Sequence, residues 1–397
     1  MAQIKLQKIY NELCLVSVFI AVTEKSVFKA FAAYCEIPKE ADGAQKRRAY
    51  AAFVAEIYAA GGSLTKLVQR CVFEDENVYV KAAAKKKKCA PCIEKAAKKE
   101  LQTFAEFAAL TSADFALDMG LETEELPDFD SFNADMGALY RKRLKDIHKH
   151  GYGIFSSQGM FRLSDDKQIE PIASADTIGM DSFIGYEEER ERVVQNTRAF
   201  VEGRPAANTL LCGDAGAGKS STVKAVANAF FDEGVRLIEL RKDQLAFLPL
   251  VMSKIVGNPL KFIIFIDDLS FNRSDDHFSM LKAALEGSAS AKAENAVIYA
   301  TSNRRHIIKE SFGDREGDDV HRNDTLQETL SLSERFGLVV LFSKPNKALY
   351  LRIVKELAKK HGVKMEAEKL ELEAEAFALR KGNRSARCAE QFIASLL

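Results

Sequence analysis

Apolar residues recur at helical spacing through the first 150 or so positions and change to strand spacing further on, and this change of period divides the chain. Residues 27–34, 44–60 and 101–116 carry apolar side chains at helical intervals with few glycines between them, which predicts a helical N-terminal domain over residues 1–150. Residues 151–180 turn to glycine, serine and short alternating runs, with Ile154-Phe155 and Met160 to Leu163 beside turn-like residues; they read as a hairpin and linker. A charged helix over 187–201 follows. Strands are then expected at 208–212, 235–240, 262–266, 297–301 and 337–342, and helices at 221–231, at 243–256 with an interruption at Pro249, and at 277–286. Repeated βα units of this kind predict a parallel sheet covered on both faces by helices, spanning residues 181–343, with ligands at the carboxyl ends of its strands. The tail, 344–397, is helical in pattern, clearest at 349–357 and 374–380, and is expected to form a small lid.

Two apolar or polar runs do not fit this scheme at once. Residues 13–22 form an apolar run preceded by Lys5 and Lys8, too short to span a bilayer and bordered by Glu12, and read as a buried helix; no membrane association is expected. Residues 310–330, with Asp314, Glu316, Asp318 and Asp319, read as a mobile insertion rather than a cation site.

The 397 residues carry 57 basic and 57 acidic side chains, so no global field draws the chain to nucleic acid or anionic lipid, and any such binding must be local. The local candidate is Lys85 to Lys88 with Lys95, Lys98 and Lys99 around Cys89 and Cys92. It reads as a solvated turn between helices, with an anion or nucleic-acid patch and half of a zinc site as the sharper alternatives. Seven scattered cysteines suit a reducing compartment, and a cytoplasmic location is expected.

The chain is organised around Gly213-Asp214-Ala215-Gly216-Ala217-Gly218-Lys219-Ser220-Ser221, which follows a short apolar strand and opens a helix. Three glycines let main-chain N–H groups turn inward, and the helix that follows aims its unsatisfied N–H groups at the same point, which is a phosphate cradle. Lys219 is expected to reach the β- and γ-phosphates and Ser220 to hold Mg²⁺. About fifty residues on, an apolar strand ends in Asp267-Asp268. Asp267 suits the metal side of the site and Asp268 the polarisation of the attacking water. Asn303, at the end of the 297–301 strand, can hold that water or the γ-phosphate. Arg335, just before the last strand, and Arg384, with Arg387 one helical turn on, are placed to brace developing charge.

With cradle, paired acids, Asn303, Arg335 and Arg384 in this order, the chain resembles an AAA+ ATPase. More narrowly, the runs 211–223, 262–271, 299–306 and 331–338 resemble the bacterial DUF815 family, a likeness covering roughly residues 150–397. The resemblance implies a Walker A loop at 213–220, a Walker B strand ending at Asp267, sensor 1 at Asn303, an arginine finger at Arg335 and sensor 2 at Arg384. It implies a five-stranded core and a homo-oligomer, a ring or open ring, since such a finger acts on the neighbour's nucleotide.

Two departures bear on activity. Most AAA+ enzymes have glutamate where Asp268 stands, so hydrolysis is expected to be slow. The segment 244–249 offers Phe247 without the glycine of a polypeptide-threading loop. Asn346-Lys347-Ala348-Leu349 lacks the aspartate of a guanine reader, so ATP is the expected nucleotide. The expectation is a Mg²⁺-dependent ATPase that rearranges a protein or nucleic-acid partner through its N-terminal domain. A slow nucleotide-gated switch and a DNA-associated loader stand as the alternatives.

Overall fold

The computed structural model describes residues 2–38, 42–172, 178–269, 281, 285, 294–303 and 335–397, which fall into two compact units, Met1–Ser157 and Gln158–Leu397.

The first unit is all helical among its described residues. Its helices are α1 (Ala2–Leu13), α2 (Ile20–Thr23), α3 (Ser26–Cys35), α4 (Gly43–Ala59) and α5 (Leu64–Glu74), then α6 (Val78–Ala84), α7 (Pro91–Ala108), α8 (Ser112–Met119), α9 (Met136–Lys145) and α10 (Ile147–His150). In α5, Ser63 caps the first turn, and positions 64, 67, 68, 71 and 72 are buried, the stripe that helical spacing dictates. Phe31, Phe53, Phe104, Phe107 and Phe115 are fully buried, with Phe31 and Phe107 rings 4.9 Å apart and Phe53 and Phe115 rings 5.3 Å apart. Each such side chain stabilises the unit by about 2–3 kcal/mol relative to an exposed one.

Two expected helices are broken. The 101–116 run divides between α7 and α8, because Asp114 accepts from the Thr111 N–H at 3.0 Å and starts a new helix there. The 13–22 run is not one helix either: α1 ends at Leu13 and α2 begins at Ile20, although Val16, Phe19 and Val22 are buried. The cause is distant in sequence. The Glu100 carboxylate of α7, only 6% exposed, accepts from the N–H groups of Ser17, Val18 and Phe19 and from the Ser17 hydroxyl, all between 2.8 and 3.1 Å. These N–H groups are thereby satisfied outside any helix. Lys85 to Lys88 are exposed between α6 and α7, Cys89 and Cys92 are free thiols, and among the described residues no three His, Cys, Asp or Glu side chains converge on a possible metal.

The second unit holds a seven-stranded sheet of β1 (Met160–Leu163), β2 (Ile169–Pro171), β3 (Thr209–Gly213), β4 (Val235–Leu240), β5 (Lys261–Ile266), β6 (Ala296–Ser302) and β7 (Leu338–Phe342). Its order is β2-β1-β4-β5-β6-β3-β7, parallel throughout except for the β1–β2 hairpin. The expected five-stranded core is present as β4-β5-β6-β3-β7. The hairpin that reads as a linker instead extends the sheet, β1 pairing with β4 through Met160 opposite Leu237. Strands β3 and β5 are buried almost throughout, as a sheet covered on both faces requires.

Helices α11 (Glu187–Val201) and α12 (Lys219–Ala229) pack on this sheet, and α13 (Leu248–Ile255) follows a 3₁₀ turn, Pro249 standing in its first turn rather than interrupting it. The lid is a bundle of α14 (Lys347–Lys360), α15 (Ala367–Lys381) and α16 (Ala386–Ala394) around Tyr350, Val354, Ala374 and Phe392. The polar loop expected at 310–330 lies outside the described residues, as does the helix at 277–286 apart from Leu281 and Leu285, both helical. Among the described residues no helix is long and apolar enough to cross a membrane.

Candidate nucleotide site

The parallel register brings three strand ends together. Cys212 of β3 lies opposite Ser302 of β6, and Ile266 of β5 opposite Ala300 of β6, so the loop after β3, the acids after β5 and Asn303 after β6 emerge side by side. This is where an open parallel sheet presents a ligand site.

The loop after β3 needs its glycines. Gly213 has φ +137°, and a Cβ there would stand 2.0 Å from the Phe342 carbonyl oxygen of β7, so no other residue fits. Gly218 has φ +84° and caps α12 in a left-handed conformation. Among the described residues the main-chain N–H groups of residues 215–221 have no protein acceptor, the first four-residue helical bond being Thr222 N–H to Gly218 O at 2.9 Å. A run of inward N–H groups leading into a helix N-terminus is a ready anion site.

Lys219 is 5% exposed and spans the mouth of this loop. Its Nζ donates to Gly213 O at 3.0 Å, Asp214 O at 2.8 Å and Asn303 Oδ1 at 3.0 Å. Burial lowers its pKa below the ordinary lysine value, with Asp214, Asp267 and Asp268 opposing that shift. Asn303 in turn donates its Nδ2 to Asp268 Oδ1 at 2.6 Å, so one amide joins Lys219 to Asp268.

Asp267 sits one layer deeper. Its Oδ1 accepts from Ser220 Oγ at 2.6 Å, from Thr301 Oγ1 at 2.5 Å and from the Asp268 N–H at 3.0 Å. Thr301 also accepts from the Asp268 N–H at 2.9 Å, which ties β6 to the turn after β5. Asp268 itself has φ +49°, a left-handed conformation that a short polar side chain tolerates, and its carboxylate is exposed. Thr301, bonded to Asp267 and to the Asp268 N–H, is a neighbour that sequence reasoning left as an ordinary strand residue; its place two positions before Asn303 was the available signal.

The donor set fits a divalent cation and a triphosphate. Ser220 Oγ and the Asp267 carboxylate are hard oxygen ligands already within 2.6 Å of each other, the pair Mg²⁺ favours, and the cradle N–H groups and the Lys219 ammonium supply the anion-binding charge.

The two arginines of the lid separate. Arg384 is bound at both guanidinium ends by Glu375 of α15, Nε to Oε1 at 3.0 Å and Nη2 to Oε2 at 2.7 Å, and this partner holds the Glu375 carboxyl below its usual range. Arg387 lies beside the cradle through its backbone: its main-chain N–H donates to Gly216 O at 3.4 Å, and its Cβ lies 3.1 Å from where a Cβ of Gly216 would stand. Arg335 is half-buried ahead of β7. A pocket of about 130 Å³ beside Gly216 and Gly218 is lined by Phe183, Ile184, Ile353 and Leu357 of α14 together with the charged Arg190, Arg387 and Glu390. Gly185 follows Ile184, and a Cβ there would meet Leu349 at 2.7 Å.

Sheet order, cradle and paired acids define a P-loop nucleotide-binding core of the AAA+ type, with a helical lid. Residues 157–397, more than half of the chain, match the family described as Protein of unknown function (DUF815), and the chain belongs to that family. No curated protein matches. Among solved structures the chain is similar to the Thermotoga maritima RuvB Holliday junction branch migration motor, at 15% identity over 55% of this chain and 72% of that one, with a TM-score of 0.33. Two variants of that protein match at 15% identity and the same coverage, with TM-scores of 0.34 and 0.35. At this level of superposition the likeness says nothing of what the chain acts on.

Proposed function

We propose that the protein is a Mg²⁺-dependent ATPase of the cytoplasm that couples ATP hydrolysis to rearranging a macromolecular partner through its helical N-terminal unit. The observation that carries the reading is the joining of Lys219, Asn303 and Asp268 beside the Ser220–Asp267 pair, at the ends of three adjacent strands.

In this reading residues 213–221 and Lys219 bind the phosphates, and Ser220 and Asp267 hold Mg²⁺, which when bound neutralises phosphate charge and orients the terminal phosphoryl group. Asp268 takes a proton from the attacking water, and Asn303 sets the position of that carboxylate. Arg387 stands nearer the cradle than Arg384 and is the better lid cation, while Arg335 is assigned to the nucleotide of a neighbouring copy in a ring or open ring.

Equilibrium ATP binding and phosphate release of Lys219→Ala test the proposal. Loss of both is expected, and wild-type turnover by this variant would end it. Arg335→Ala is expected to keep ATP binding and lose turnover.

A second reading, a nucleotide-gated switch with little steady-state turnover, is favoured by the short Asp268 side chain already held by Asn303 at 2.6 Å. Turnover below about 0.01 per second, the regime of intrinsically slow switch GTPases, would support it.

A further inference from the structure

The N-terminal unit concentrates positive charge that the nucleotide site does not use. In a chain whose basic and acidic totals are equal, residues 77–99 hold Lys81, Lys85 to Lys88, Lys95, Lys98 and Lys99 against one acid, Glu94. Lys81 is paired with Glu76 at 2.9 Å. The other seven are exposed, and among the described residues none of them is in an ion pair.

The backbone that carries them is ordered by hydrogen bonds. At the end of α6 the Lys86 N–H donates to Ala83 O at 3.0 Å and the Lys87 N–H to Ala82 O at 2.9 Å, with Lys86 at φ +52°, where glycine is usual. Helix α7 starts at Pro91, gives Ala97, Leu101 and Phe104 to the core, and leaves Lys95, Lys98 and Lys99 outside. The neighbouring helix adds to this charge: Ala84 of α6 and Leu144 of α9 pack on one small core of Val80, Ile147 and Tyr152, and Lys142 and Lys145 of α9 are exposed and unpaired as well.

A solvated turn needs polar residues but not residues of one sign, and like charges side by side repel. Clustered in a neutral chain, they are the footprint of a polyanion. A protein partner fits poorly, because protein interfaces are depleted in lysine and built on aromatic residues and arginine. A bilayer fits poorly too, since an interfacial helix lays its apolar face into the lipid and that face of α7 already belongs to the core. Single strands are held by stacking on aromatic rings, and residues 81–99 contain no aromatic residue, nor an Asn or Gln to read a base edge.

We propose that the turn between α6 and α7, with the outer side of α7, binds the phosphate backbone of a nucleic-acid duplex without regard to its sequence. This names the macromolecular partner of the reading above and rests on that reading for the coupling to ATP, though not for the binding itself.

The test is equilibrium binding of the full chain to a short random-sequence DNA duplex, followed by fluorescence anisotropy over a range of salt, beside the single strand, poly-glutamate and phosphatidylserine vesicles. Duplex affinity is expected to fall with salt with a logarithmic slope of about −5, the counterion release of about six phosphate contacts. Lys85→Gln, Lys87→Gln and Lys88→Gln together are expected to weaken duplex binding at least about tenfold and to make the slope shallower by about 3. Absence of duplex binding at low salt overturns the proposal, as does an affinity or slope that the triple variant leaves unchanged. Binding by the unaltered chain that does not weaken with salt overturns it whatever the variant does. Single strand, poly-glutamate or vesicles bound as tightly as the duplex overturn it in favour of that partner. Duplex binding by a chain that neither binds nor hydrolyses ATP leaves it standing and ends the ATPase reading; ATP turnover without duplex binding does the reverse.

Discussion

Asn303 donates to the Asp268 carboxylate at 2.6 Å while its own amide oxygen accepts from Lys219 at 3.0 Å. An anion that draws Lys219 away leaves the amide bonded to Asp268 alone, so phosphate binding at Lys219 would be mechanically joined to the position of Asp268, the acid proposed to activate water. Asn303→Ala removes the joint but leaves Lys219 its two carbonyl acceptors. ATP affinity is therefore expected to change by less than about threefold and turnover to fall about a hundredfold, a loss confined to the transition state. Steady-state phosphate release beside equilibrium binding measures both. A rise in turnover would mean that Asn303 restrains Asp268, as the switch reading requires.

Gly213 carries the tightest steric demand in the cradle. Gly213→Ala puts a methyl group against the Phe342 carbonyl in a left-handed conformation. Either β3 separates from β7 or the loop rotates, at a cost of about 2–4 kcal/mol. Chemical denaturation of this unit should show the loss, together with loss of nucleotide binding; Gly382→Ala, which meets open space at φ +74°, should cost only about 1 kcal/mol.

Asp267 and Ser220 face each other as metal ligands would, so Asp267→Asn is expected to make ATP affinity insensitive to Mg²⁺ and to abolish turnover. Chelation of Mg²⁺ from the unaltered chain should reproduce the turnover loss. Titrating Mg²⁺ at fixed ATP reads both, and an unchanged Mg²⁺ dependence in the variant would remove Asp267 from the metal site.

The charge on Lys219 sets an alkaline limit. Burial favours its neutral amine and lowers its pKa from 10.5. Only the protonated form attracts phosphate, so ATP affinity is expected to fall as pH rises, with a midpoint below 10.5 rather than at it. Affinity measured by calorimetry from neutral pH upward, and constant up to 10.5, would show that the amine is not buried when it meets the ligand.

The site is legible in the sequence where local pattern and chemistry coincide. Glycines at 213, 216 and 218 ahead of Lys219, and acids closing the apolar run 262–266, each carry a signal within ten residues. What was hidden depends on partners far away in the chain. The pairing of β1 with β4 joins Met160 to Leu237 through strands too short to show a clear alternation. Arg190 lies among Glu187, Glu188 and Glu189 on a helix that reads as charged, yet its guanidinium is buried against Phe183. Arg384 and Arg387 differ by one helical turn, and Glu375 on α15 holds the first while the second lines the pocket beside Gly216.

Glu100 shows the same dependence on distance in the N-terminal unit and supplies a test of that unit alone. Its carboxylate satisfies three main-chain N–H groups at residues 17–19, and it is buried with them. Glu100→Ala leaves those donors without an acceptor and is expected to destabilise the unit by about 3–5 kcal/mol, the range for removing one partner of a buried charged hydrogen-bond set. Glu100→Gln keeps an acceptor oxygen but turns an N–H₂ group toward backbone donors, so it should recover only part of the loss. Urea denaturation followed by amide exchange at Ser17 to Phe19 resolves the two. Near-wild-type stability for Glu100→Ala would mean that residues 14–19 can close into the continuous helix their apolar pattern suggests.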